Sequence, residues 1–175
     1  MDVDYSSISP APDEAAMRQQ LRRCQKNLQT VLKSEIEPEQ LLREQTEDCH
    51  ALHWAGGVYV WTLVLDSLTA PGLTQPSPLL QGAIDRSFGS MEGLCRTVQN
   101  AAPGQMGFVW LSSDREGELQ INRTYSYATP LPLTPLLALP AALLPAPGIC
   151  QRLNFSTASR RYAQVLAQRT PHLFL

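Results

Sequence analysis

From Asp13 onward apolar residues recur at steps of four and three: Met17, Leu21, Cys24, Leu28 and Val31. That spacing lays one apolar stripe along a helix whose other faces carry Arg18, Arg22, Arg23, Lys26 and Lys33. Residues 1–13 hold Pro10, Pro12 and several serines without periodicity, and are predicted as a flexible arm. Glu37-Pro38-Glu39 opens a second helical segment, predicted to run to about Leu52; Pro38 suits a first turn, where its missing donor is no loss. A long apolar stretch follows over residues 54–65, broken only at Gly56, Gly57 and Thr62. Each glycine lowers helix stability by about 1 kcal/mol relative to alanine. Either something packs closely against this pair, or a larger side chain has been lost there.

Three prolines and Gly72 make residues 69–78 a loop. Two short helices are predicted over 79–84 and 91–98, the second capped by Ser90 with Glu92 in its first turn. The pattern then changes period. Gly107-Phe108-Val109-Trp110-Leu111 begins a strand, residues 114–117 form a hairpin turn, and Glu118-Leu119-Gln120-Ile121-Asn122 alternates as a half-buried returning strand. Two or three antiparallel strands are expected between about 107 and 132. After the proline-rich stretch, Ser156 or Ser159 is expected to cap a last helix near 156–169. Helices over 14–101, a small antiparallel sheet and a closing helix make an α+β layout.

The chain has 175 residues, 43% of them hydrophobic, in the ordinary range for a globular domain. Its formal net charge is -2, so nothing global argues for wrapping nucleic acid, although a local basic face remains open. Only Lys26 and Lys33 are lysines. The arginine excess reads either as bidentate contacts or, preferably, as base composition. Cys24, Cys49, Cys95 and Cys150 show no C-x-x-C pair and read as reduced, mostly packed thiols. Residues 131–149 are apolar but interrupted by five prolines, so no membrane span is expected and a soluble chain is. The acidic start, Met1-Asp2-Val3-Asp4, has neither a secretory h-region nor transit-peptide character. Asn122-Arg123-Thr124 and Asn154-Phe155-Ser156 match the glycosylation pattern and are read as chance.

No phosphate-binding loop, nucleophile elbow or paired carboxylates in an apolar setting are present. Ser87 and Ser90 flank a glycine with no neighbouring histidine to activate them, and capping is their expected task. His50 and His53 lie one helical turn apart beside Asp48 and Cys49. A small metal site is one reading; a hydrogen-bonded helix histidine is the preferred one. His172 follows the last helix, where surface packing or a helix-dipole contact suffices.

Residues 45–175 resemble the iron and manganese superoxide dismutases. Ile84-Asp85-Arg86-Ser87-Phe88-Gly89-Ser90-Met91-Glu92 is similar to their "I-x-x-x-F-G-S-x-E" junction. Gly107-Phe108-Val109-Trp110-Leu111 resembles "G-W-x-W-L", Thr134-Pro135-Leu136-Leu137 resembles "T-P-L-L", and Tyr59-Val60-Trp61 fits the end of "N-H-x-x-F/Y-W". The resemblance implies a dismutase-like α+β fold, with dismutase N-terminal helices over 14–68 and a C-terminal α+β domain over 79–175.

The departures bear on function. Catalytic members hold iron or manganese with three histidines and one aspartate. Here no histidine precedes His50, the second ligand position falls at Gly57, and the aspartate and last histidine of "D-x-W-E-H" fall at Pro140 and Leu144. By the same resemblance, His53 falls near the position from which some iron enzymes hydrogen-bond the metal-bound solvent. A degenerate dismutase without metal, cofactor or activity is therefore expected: a pseudoenzyme. Ligand-free relatives serve as structural proteins of the mitochondrial small ribosomal subunit, where two dismutase-like chains pair. The resemblance thus implies a non-catalytic ribosomal protein of the mitochondrial matrix, with other ribosomal proteins as partners, a second dismutase-like chain among them. The alternative is a non-catalytic subunit of another large mitochondrial complex, such as a respiratory one. No membrane and no small-molecule substrate are expected. Leu136, Leu137, Leu143 and Leu144 are the expected interface, as part of an apolar patch over 131–144; Arg18, Arg22, Arg23 and Lys26 are candidates for peripheral ribosomal RNA contact.

Overall fold

The computed structural model describes residues 13–32, 37–44, 47–68, 75–101, 106–145 and 148–169. Expectations for the first twelve residues, for 69–74 and for His172 lie outside these. Helix α1 (Glu14–Val31) starts where Asp13 accepts from the Ala16 amide and buries Met17, Cys24 and Leu28. The expected second segment is two helices, α2 (Pro38–Glu44) and α3 (Cys49–Ser67). The break has a local cause: Asp48 accepts from the His50 and Ala51 amides and so caps a new helix instead of continuing the old one.

Helix α3 is apolar on nearly all sides and accordingly lies in the interior. Ser77 and Pro78, expected in a loop, instead cap and open α4 (Pro78–Phe88). Gly89, at φ 79°, ends α4 in the left-handed region. Ser90 then accepts from the Gly93 amide and starts α5 (Met91–Asn100), so the predicted cap and junction are as read.

The sheet is antiparallel in the order β2-β1-β3, with β1 (Phe108–Ser113) central, β2 (Leu119–Thr124) on one side and β3 (Thr134–Pro140) on the other. The hairpin between β1 and β2 turns at Gly117 (φ 83°), where the Asp114 carboxylate accepts from the Glu118 amide at 2.8 Å. The third strand lies downstream of the expected window. Two of the prolines that interrupt the apolar stretch lie inside it, which an edge strand tolerates because its outward positions need no ladder donor. Helix α6 (Phe155–Arg169) opens with Asn154 Oδ1 accepting from the Ser156 amide, not with Ser156 or Ser159 as cap. Ser159 instead accepts from the Ser77 amide at 2.9 Å, tying α6 to the start of α4.

One core joins α3, α4, α5, the sheet and α6 through Leu63, Leu80, Leu94, Trp110, Leu136 and Phe155 among others. Full burial of side chains of this size contributes about 1.5–3 kcal/mol each. A second, smaller cluster, with Cys24, Leu28, Leu41, Ala55 and Val58, holds α1 and α2 against α3. The result is a helical N-terminal part followed by a small three-stranded antiparallel sheet with flanking helices, as expected. No helix among the described residues is long and apolar enough to cross a membrane.

Candidate functional site

Gly56 and Gly57 lie buried in the middle of α3, and the reason for both is contact. A Cβ on Gly56 would collide with the Tyr127 backbone carbonyl. One on Gly57 would come within 2.6 Å of Cys24 Sγ and 3.0 Å of two Tyr127 ring carbons. The Cys24 thiol is brought there by the apolar stripe of α1, and Tyr127 by the connection from β2 to β3. In that connection Ser126 takes φ 53° and the Ala128 amide bonds the Tyr125 carbonyl at 3.2 Å. This tight turn directs Tyr127 onto α3, where its ring lies 4.9 Å from His53 and 6.4 Å from Trp54, centroid to centroid.

The space in front of Gly57 is thus filled by a thiol and a phenol. Burial pushes the Cys24 thiol up, against the opposing influences of Tyr127 and the Arg23 charge. Burial likewise pushes the Tyr127 phenol up; the Trp61 indole N–H acts in the other direction. Trp61 Nε1 is buried without a hydrogen bond of good geometry, so it biases the phenol electrostatically without fixing it. Both Cys24 and Tyr127 are accordingly neutral near pH 7, and neither offers the anionic donor that a metal would need.

The other two positions that the resemblance implies carry no side-chain donor atoms either. Pro140 ends β3 opposite Phe108, and Leu144 follows a 3-10 turn (Ala141–Leu143) with its side chain buried in the main core. The three atoms nearest a Cβ at Gly57 come from Cys24 and Tyr127, not from Pro140 or Leu144. These residues do not fit iron or manganese, which the dismutases hold with three imidazoles and a carboxylate: the three positions that the resemblance points to carry glycine, proline and leucine, beside one protonated thiol. His50 and His53 are exposed, the Asp48 carboxylate caps α3, and among the described residues no group of three metal-ligating side chains comes together. His53 packs edge-on against Trp54 at 4.8 Å as an aromatic ring of the cluster.

The expected apolar interface is corrected. Leu136, Leu137 and Leu144 are 0, 3 and 2% exposed, turned into the chain's own core, and Leu143 packs half-buried against it. The sheet and the 3-10 turn fold Leu136, Leu137 and Leu144 inward, while Pro132 stays exposed and Leu131, Leu133 and Leu143 half-buried. Arg18, Arg22, Arg23 and Lys26 do stand exposed on α1, with Arg18 paired to Glu14 at 2.6 Å.

Sequence reading missed Tyr127, which lies in a connection without periodicity. The signal available was the glycine pair, which announces a close neighbour without naming it.

Residues 76–141 match the family model of the iron/manganese superoxide dismutases, C-terminal domain. The match begins just before the Ser77 cap of α4 and ends just after β3, so the stretch similar to that domain takes in α4, α5 and the three strands of the described sheet.

Proposed function

We propose that this chain is a non-catalytic structural protein built on a dismutase fold, and that it serves as a fixed subunit of the mitochondrial small ribosomal subunit. The observation that carries the first half is the filling of the space before Gly57 by Cys24 and Tyr127. Dismutation requires a metal that alternates between two oxidation states, and the donors around Gly57, Pro140 and Leu144 offer it no ligand set. The second half rests on the resemblance to ligand-free dismutase-like ribosomal proteins, and on a charge of -2, which suits a peripheral protein-contacting subunit better than one embedded in RNA.

Two measurements test the halves separately. Elemental analysis and a dismutase assay on purified chain should give neither stoichiometric iron or manganese nor activity; about one such metal per chain overturns the first half. Sedimentation of organelle extract containing the tagged chain should place it with small-subunit ribosomal RNA. Recovery as a free monomer, or with a respiratory complex, overturns the second half and leaves the first standing.

A further inference from the structure

Away from Gly57, a cleft of about 560 Å³ opens between α2, the β1–β2 turn, the start of β3 and α6. Four of the chain's twelve arginines line it: Arg43 from α2, Arg115 from the turn, and Arg160 and Arg161 from α6. Among the described residues the only carboxylate lining it is Glu39, which pairs with Arg43 at 2.9 Å. The cleft therefore holds a formal charge of +3 in a chain whose net charge is -2. Among the described residues Arg115, Arg160 and Arg161 have no carboxylate partner.

Arg161 is held in place rather than free. Its Nη1 donates to the Pro135 carbonyl at 3.2 Å and to the Tyr59 hydroxyl at 3.4 Å, and its guanidinium lies 5.9 Å from the Tyr59 ring centre. Both bonds use one nitrogen, leaving Nη2 and Nε without a protein partner among the described residues. Gln164 lies four residues beyond Arg160 and three beyond Arg161, on the same side of α6, and lines the cleft with them. A fork fixed at one nitrogen, with the others unpaired beside two further guanidinium groups, is the arrangement that binds phosphate oxygens bidentately.

We infer that this cleft is a binding site for a diphosphate group, inorganic or carried by a nucleotide. The volume lies within the small-molecule range of about 300–1,000 Å³. The charge of +3 matches a diphosphate better than a single phosphate. The inference is of binding alone: the Glu39 carboxylate in the lining is held by Arg43. The inference is independent of the ribosomal reading.

Calorimetric titration of the full chain with pyrophosphate and, separately, with ADP tests it. Binding is expected with one diphosphate per chain, weakening with salt. The exposed double variant R115Q/R160Q should lose affinity at least about tenfold, while R86Q, on α4, should not. Comparable binding of pyrophosphate and ADP shows that the diphosphate is what is recognised; a clear preference for ADP identifies the nucleotide as the source. The inference is overturned if neither ligand binds or if R115Q/R160Q binds as the unmodified chain does. It is equally overturned if a single-stranded RNA oligonucleotide binds the same arginines more tightly than either ligand.

Discussion

The Ser67 hydroxyl accepts a hydrogen bond from the Ala138 amide at 3.0 Å, linking the last residue of α3 to the middle of β3 across 71 residues of chain. The same hydroxyl donates to the Leu63 carbonyl at 2.6 Å, and the Ser67 carbonyl accepts from the Asn154 amide at 2.8 Å. Ser67 is 1% exposed, so water cannot replace these partners. Ser67→Ala leaves the Ala138 amide unpaired and should destabilise the fold by about 1–3 kcal/mol in urea unfolding. A change below a few tenths of a kcal/mol would show that the link contributes nothing.

Gly57→Ala should destabilise by about 1–3 kcal/mol, because its Cβ meets a sulfur at 2.6 Å and a packed ring at 3.0 Å. Gly57→His, which puts an imidazole where the resemblance implies a ligand, should be worse still and should not recruit iron or manganese. Pairing Gly57→Ala with Tyr127→Ala, which removes the ring, should recover part of the loss. Strict additivity in a double-mutant cycle would deny the contact.

Alkaline pH should unfold the protein earlier than its composition suggests. Burial raises Cys24, Tyr59 and Tyr127 above their ordinary values, so each holds its proton more tightly folded than unfolded. The stabilisation is complete below the unfolded values, about 8.5 for the thiol and about 10 for the phenols, and is lost as pH rises through the folded ones. The urea midpoint should be flat through neutrality and fall above about pH 9, with Tyr127→Phe shallowing the fall. A midpoint that climbs over that range contradicts the assignment.

Thiol labelling should follow a definite order. Cys24 is buried with a raised pKa and should react last with a small alkylating reagent, whereas Cys49 is exposed and open to it. Cys95 and Cys150 interact thiol to thiol: Cys150 holds Cys95 low, and Cys95 in turn pushes Cys150 well up. Peptide mapping after brief labelling should therefore find Cys95 modified ahead of Cys150. The reverse order would mean that the proton is shared the other way.

The α+β order was legible because its signals are local. The stripe from Met17 to Val31 makes α1, Ser90 starts α5, and the alternation around Ile121 makes β2. What was not legible depends on partners far along the chain. Thr134 to Pro140 reads as proline-interrupted sequence, and only its place at the sheet edge makes it a strand. Leu136, Leu137 and Leu144 read as an exposed strip because hydropathy does not say which surface an apolar residue meets; here it meets α3, α6 and the rest of its own core. Gly57 was readable as a vacancy, but its occupant Tyr127 was not, since a ring arriving from a turn 70 residues away leaves no periodic trace. The cleft arginines are spread over residues 43 to 161 and become a cluster only through folding.

The position of β3 at the sheet edge bears on how copies of this chain meet in a crowded solution. An uncovered edge strand is a template on which a second chain can lay its own strand, the usual beginning of runaway aggregation. On β3 the Ala138 amide is taken by Ser67, and the Pro135 carbonyl by Arg161, from helices lying alongside. Pro135 and Pro140 bring no amide at all. A neighbouring strand would find these rungs of β3 already occupied or missing, so a second chain laid along this edge would gain few of the backbone bonds that growth needs.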